Sequence, residues 1–260
     1  MFAKADAYER FMGRWSRQLA EPFLAAAQIG DGPVLDVGTG TGALSLTVRD
    51  HKPDARIVGV DLSPEFIAFA QKHVKQRIEL AVGDAQHLEF ADRTFASTLS
   101  LLVLNFVPDP SQAAREMKRV TQPGGVVAAA VWDYEEMLML STFWAEAVAL
   151  DPAAASHDES HMPLSHANEL EELWKTAGLE NVSEQKIGIT LHFASFDDYW
   201  EPFLLGQGPA GAYVAKLAPA QRAALKQRVH DRLLQGAAEH PIDLTANAWV
   251  VRGNAPKSAL

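Results

Sequence analysis

Cysteine is absent from the 260 residues. That excludes disulfide staples, thiolate zinc sites, iron–sulfur clusters and a cysteine nucleophile. A surplus of positive charge is also absent: 23 Lys plus Arg stand against 33 Asp plus Glu, a net −10 with His neutral. Nucleic acid is therefore not an expected partner, because phosphate contact wants a basic face. No apolar run reaches the roughly 18 residues that a membrane-spanning helix needs, so no membrane insertion is expected. The opening MFAKADAYERFMGRW carries no apolar core of the secretory kind, and a cytoplasmic location is the expectation. What is present is ordinary for a globular chain: 48% apolar and 22% charged residues, sufficient to bury a core without cross-links.

Apolar periodicity organises the chain into alternating elements. Asp6 to Ala27 places Phe11, Trp15, Leu19, Phe23 and Leu24 at helical spacing. Val34 to Val37 is a short apolar run stopped by glycines, and Ile57 to Val60 is a second run ending at Asp61. Ile78 to Val82, Phe95 to Leu104 and Val126 to Trp132 read as further strands. Helical stretches lie between them: Ala43 to Asp50, one opened by Ser63-Pro64, and Ser111 to Val120. Strand and helix in alternation imply a doubly wound, mostly parallel sheet with right-handed crossovers, whose ligands bind outside the carboxyl ends of the strands.

After Trp132 the rhythm changes. Helices are expected over Glu135 to Leu150, Glu169 to Ala177, Phe196 to Leu205 and Pro219 to Leu234. Asp151 to Ala167 reads as a loop and Gly206 to Gly211 as a Gly/Pro-rich link. Strands are expected over Val182 to Phe193 and Asp243 to Val251, with 252–260 as a frayed tail.

Chemistry concentrates in Val34-Leu35-Asp36-Val37-Gly38-Thr39-Gly40-Thr41-Gly42. Glycines at alternate positions let the backbone turn sharply and let a ligand approach without a Cβ in the way. The following helix offers free N–H groups at its start. Asp61 follows 19 positions after Gly42, where a carboxylate can accept from both hydroxyls of a ribose. Together these features point to an adenosine-containing cofactor. Gly38-x-Gly40-x-x-Ala43 also fits the dinucleotide fingerprint, so an NAD-type oxidoreductase is the alternative. Asp36 favours S-adenosylmethionine, because a carboxylate there repels a pyrophosphate and suits a cationic amino group. Asp84, after the third strand, suits an adenine amino group.

Those segments resemble a class I S-adenosylmethionine-dependent methyltransferase of the UbiE-like, small-molecule type. The resemblance rests on VLDVGTGTG (Val34 to Gly42), VGVDLSPEFIAFA (Val58 to Ala70), VGDAQHLEF (Val82 to Phe90), FASTLSLLVLNFVPD (Phe95 to Asp109) and MKRVTQPGGVVAAAVWDY (Met117 to Tyr134). It implies an α/β fold with a seven-stranded Rossmann-like sheet, the last strand antiparallel. It also implies S-adenosyl-L-methionine as cofactor. By the same resemblance, Asp36 and Gly38 face the methionine end, Gly40 and Gly42 line the loop, and Thr39 is also a cofactor-binding residue. Asp61 holds the ribose with Leu62 against the adenine, Asp84 and Ala85 flank that ring, and Leu101 lies beside the sulfonium. The Tyr8…Met12-Gly13-Arg14-Trp15 stretch resembles members whose N-terminal helix covers the cofactor, which adds Tyr8 and Arg14.

One methyltransferase domain over 1–260 is expected, with 1–30 as a helical cover. Segments 134–168 and 194–241 are expected as helical lid insertions over a mostly apolar pocket. The acceptor is then a small molecule, and the chain a monomer or homodimer. No catalytic residue is singled out; His157, His161, His192 and Tyr134 qualify as bases by residue type alone. A non-catalytic S-adenosylmethionine-binding protein is the further alternative. His157, His161 and His166 lack a helical frame to hold two ligands on one face, so no metal site is expected.

Overall fold

The computed structural model describes residues 4–74 and 77–257. The chain divides into two compact units, one comprising residues 15–132, 163–187 and 248–257, the other residues 4–14, 133–162 and 188–247. Helices in chain order are α1 (Ala5–Tyr8), α2 (Arg14–Ala27), α3 (Ala43–His51), α4 (Pro64–His73), α5 (Pro110–Val120), α6 (Leu138–Leu150), α7 (Glu169–Thr176), α8 (Phe196–Trp200), α9 (Gly208–Lys216) and α10 (Pro219–Leu234). Strands are β1 (Val34–Val37), β2 (Ile57–Asp61), β3 (Ile78–Val82), β4 (Phe95–Leu101), β5 (Thr121–Trp132), β6 (Glu180–Phe193) and β7 (Ile242–Asn254).

The strands form one seven-stranded sheet in the order β3-β2-β1-β4-β5-β7-β6. β1 pairs in parallel with β2 (Val34↔Ile57) and β4 (Val34↔Ser97), and β4 with β5 (Leu101↔Ala130). β7 runs antiparallel to β5, with Trp132 opposite Ala248. The strand order reverses around β1 and β4, so the crevice for a ligand opens at their carboxyl ends. All four residues of β1 are buried, as a parallel strand covered on both faces requires.

Local chemistry sets the helix starts. Ser63 caps α4 by accepting from the Phe66 N–H at 3.4 Å, and Pro64 follows at the first turn. Asp109 caps α5 by accepting from the Gln112 N–H at 2.8 Å. The Trp174 indole on α7 donates to the Val127 carbonyl on β5 at 3.0 Å, which fixes that helix against the sheet.

The second unit is a helical body with an aromatic core. Phe143 stacks on Phe203 at 4.7 Å, and Phe11 meets Phe203 edge-on at 5.3 Å. The buried Tyr199 hydroxyl donates to the Met139 carbonyl at 2.8 Å. Glu146 on α6 is buried and accepts from Arg228 and Arg232 of α10 at 2.8 and 3.0 Å.

Several boundaries differ from the sequence expectation. The N-terminal helix is interrupted by a π-helical turn, Glu9–Gly13. β4 stops at Leu101, because Leu102 turns into left-handed backbone at φ +63° and a 3₁₀ turn, Leu104–Phe106, follows. The Gly206 to Gly211 link is partly the start of α9. Pro209 fits the first turn, and Gly211 packs so close to the Gly206 backbone that a Cβ would lie 2.9 Å from it. Gly211 thus serves close packing, whereas Gly206 and Gly208 hold left-handed backbone at φ +70° and +66°. The expected loop holds two 3₁₀ turns, Pro152–His157 and Glu159–His161. The tail is not frayed at Arg252, since β7 pairs with β5 through Asn254.

Candidate cofactor site

The glycine loop joins β1 to α3 at the carboxyl edge of the sheet. Gly38 and Thr39 both donate backbone N–H groups to the Val60 carbonyl, at 2.7 and 2.9 Å, which folds the loop onto β2. Gly38 adopts φ +76°, and a Cβ there would lie 2.4 Å from the Val103 side chain. Both backbone sign and space therefore demand glycine. Gly40 has φ +55°, and a Cβ there would meet nothing nearer than the Gly38 carbonyl at 4.0 Å, so its face of the loop is open.

Asp36 is 1% exposed and ends its reach inside this loop. Its Oδ2 accepts from the Thr39 hydroxyl at 2.8 Å and the Ser45 hydroxyl at 2.7 Å. Its Oδ1 is buried without a hydrogen-bond partner. Burial pushes this carboxyl up to about 6, with the Ser45 and Thr39 hydroxyls opposing and the Asp61 charge adding to the rise. A buried acceptor oxygen of this kind needs a donor to complete it.

Asp61 ends β2 and accepts from the Gly40 N–H at 2.9 Å on Oδ2 and the Ser63 N–H at 2.8 Å on Oδ1. Burial raises its carboxyl, and the two backbone N–H groups lower it. Each oxygen keeps a lone pair for a further donor. Leu62 beside it is 68% exposed, an apolar side chain free to cover a flat ring. Asp84 follows β3 and accepts from the Gln86 N–H at 2.8 Å, an Asx turn that presents the Asp84-Ala85 backbone at the same sheet edge. Leu101 ends β4 and is buried.

Asp36, Gly38, Thr39, Gly40, Gly42, Asp61, Leu62, Asp84, Ala85 and Leu101 thus lie in the sheet unit at the carboxyl ends of β1 to β4 or in the loops that follow. Tyr8 and Arg14 belong to the helical unit. There the Arg14 guanidinium donates to both carboxylate oxygens of Asp198, at 2.9 and 3.1 Å, and lies over the Phe193 ring at 4.9 Å. Sequence reasoning missed Ser45 and Val103. Neither carried a local signal: Thr47 and Arg49 are also buried on α3, so a hydroxyl there is not distinctive. Among the described residues no group of His, Asp and Glu could hold a metal ion.

The donor set fits S-adenosylmethionine. The orphaned Asp36 Oδ1 suits an ammonium group, the open face of Gly40 admits a ligand's backbone-close approach, and Asp61 retains acceptor capacity for ribose hydroxyls.

The profile of a family described as "Methyltransferase domain" matches residues 35–129. A demethylmenaquinone methyltransferase of Roseiflexus castenholzii is 31% identical over 173 residues, covering 61% of this chain and 72% of that protein. The chain belongs to the UbiE-like class I S-adenosylmethionine-dependent methyltransferases. An uncharacterized protein of Mycobacterium tuberculosis is 37% identical over 116 residues, 43% of this methyltransferase-family chain. That match spans only 42% of the mycobacterial protein's own length. The fold is shared with a Haemonchus contortus phosphoethanolamine N-methyltransferase solved with S-adenosyl-L-methionine, at TM-score 0.60 and 20% identity, covering 97% of this chain and 56% of that one.

Proposed function

We propose that this chain transfers a methyl group from S-adenosylmethionine to a small, largely apolar acceptor by in-line displacement. The single observation that carries the cofactor half is the buried, unpartnered Asp36 Oδ1 beside the open glycine loop. When bound, the cofactor supplies an already activated methyl group on a sulfonium. The protein's work is then to position the nucleophile and exclude water. Asp36 receives the ammonium, Asp61 orients the ribose, Leu62 with the Asp84-Ala85 loop holds the adenine, and Leu101 offers an apolar wall at the end of β4.

Arg14 enters by the family resemblance, its guanidinium being suited to a bidentate partner such as a carboxylate. Tyr8 enters by the family resemblance. The segments 134–168 and 194–241 are proposed to select the acceptor, supported by their apolar and aromatic content. Demethylmenaquinone, named for the Roseiflexus relative, sets the first acceptor class to try. Among the described residues no helix is long and apolar enough to cross a membrane.

Calorimetric titration with S-adenosylmethionine and with NAD tests the cofactor. Binding of S-adenosylmethionine alone is expected, and binding of NAD alone overturns the assignment. Release of S-adenosylhomocysteine across a panel of quinols, phenols and amines then tests the transfer. No release with any of them would leave a binding protein rather than an enzyme.

A further inference from the structure

Two hydroxyls grip one oxygen of Asp36. Thr39 Oγ1 and Ser45 Oγ lie 2.8 and 2.7 Å from Oδ2, and 3.0 Å from each other. All three contacts have hydrogen-bond length, yet two hydroxyls bring only two protons. With Asp36 ionised, both protons point at Oδ2 and the two hydroxyl oxygens face each other through lone pairs. With Asp36 protonated, a third proton closes a ring in which each oxygen donates once and accepts once. Oδ1 stays outside the ring in both states, buried and without a partner.

The geometry around the clamp is rigid. Ser45 is fully buried on α3. A Cβ on Gly59 of β2 would lie 2.8 Å from Thr39 Oγ1, so the Thr39 hydroxyl is held against the strand backbone. The charged group acting on Asp36 is Asp61 at the end of the neighbouring strand, a like charge. Among the described residues no Lys, Arg or His pairs with Asp36.

We propose that Ser45 is a positioning residue: with Thr39 it clamps Asp36 Oδ2, leaves Oδ1 for a ligand's ammonium group, and makes binding of that ligand expel the Asp36 proton to solvent. The inference rests on the cofactor assignment above, since S-adenosylmethionine and S-adenosylhomocysteine both carry that ammonium. No bond other than the O–H is broken, and the ligand's positive charge replaces the proton's.

The experiment is calorimetric titration of the full chain with S-adenosylhomocysteine, in buffers of differing ionisation enthalpy. Affinity is expected to fall about tenfold per pH unit once Asp36 is protonated in the free protein, with up to one proton released on binding in that range. 5′-Methylthioadenosine, which lacks the ammonium, is expected to show neither effect. Ser45→Ala removes a donor to the charged form, so the transition moves to higher pH. Thr39→Val should move it the same way, and Thr39→Ser, which keeps the hydroxyl, should not. If Ser45→Ala does not fold, the two Thr39 variants carry the test. A pH-independent affinity in the wild-type chain overturns the inference. So does a Ser45→Ala loss of equal size at every pH, which a merely structural role would give. If S-adenosylhomocysteine does not bind the wild-type chain at about pH 8.5, where Asp36 is ionised, the cofactor assignment itself falls.

Discussion

Asp36, one residue before the end of β1, and Asp61, the last residue of the adjacent parallel β2, are electrostatically linked: the negative charge of Asp61 joins burial in holding the Asp36 carboxyl up to about 6. The two acids are therefore coupled before any ligand arrives, and each can be tested through the other.

Asp61→Asn removes the like charge but keeps an acceptor oxygen. The Asp36 transition is expected to move to lower pH. Affinity for 5′-methylthioadenosine, which has the ribose and no ammonium, is expected to drop by about 1–3 kcal/mol, the cost of replacing a charged acceptor. Calorimetric titration with S-adenosylhomocysteine across pH reads the first effect and with 5′-methylthioadenosine the second, and unchanged 5′-methylthioadenosine affinity would remove Asp61 from the ribose contact.

Gly38→Ala sets a Cβ against Val103 and asks an L-residue to hold φ +76°. Destabilisation of about 2–4 kcal/mol is expected from clash plus backbone strain. Adding Val103→Ala should restore the steric part and leave about 1–2 kcal/mol from the backbone. Chemical denaturation of the single and double variants measures this; no rescue would mean the clash is relieved elsewhere.

Leu102 holds φ +63°, a region that costs a leucine about 1–2 kcal/mol. Its N–H is nonetheless engaged, donating to the Ala130 carbonyl at 2.8 Å. Leu102→Gly should therefore leave the melting temperature unchanged or raised, against the usual direction for an introduced glycine. A large fall would show that its side chain, not its backbone, sets the turn.

Glu159 lies buried in the helical unit and accepts from the Trp144 indole N–H. Burial pushes its carboxyl up to about 7, with the Trp144 bond opposing. A carboxyl raised in the folded state binds more protons there than in the unfolded chain. Stability is thus greatest below the unfolded value and falls as pH rises towards 7. The loss is expected to be about 3 kcal/mol across that window. Glu159→Gln keeps the acceptor for Trp144 and should flatten the dependence. Denaturation followed by tryptophan fluorescence between acidic and neutral pH checks the sign; a profile that rises with pH contradicts it.

The first three strands were legible because each ends at Gly or Asp, and those endings are themselves the loops of the candidate site. Asp36, Gly38 and Asp61 were readable for that reason. The end of β4 was not, because Leu102 in left-handed backbone has no local signature, and the apolar run continues past it to Leu104. The start of α9 hid behind Gly-Pro-Ala-Gly, which reads as a link unless the close approach of Gly211 to Gly206 is known. Arg14 read as a ligand-binding cation, but its partner Asp198 stands 184 positions away and lacks any local signal. Ser45 was invisible as a binding residue, since a serine in a helix is ordinary until its neighbour is a buried carboxylate.

The close approach of Thr39 to Gly59 has a historical consequence. A side chain at 59 cannot be tried while Thr39 stands, because a Cβ would sit 2.8 Å from its hydroxyl and 2.9 Å from Leu80. Positions 36, 39, 45 and 59 are therefore bound into one mutational unit, in which the order of change matters. Descendants that kept the acid would inherit the glycine on the next strand with it, and giving up the hydroxyl at 39 alone would not open that strand, because the residue-39 Cβ and the Leu80 side chain would each still lie 2.9 Å from an added Cβ.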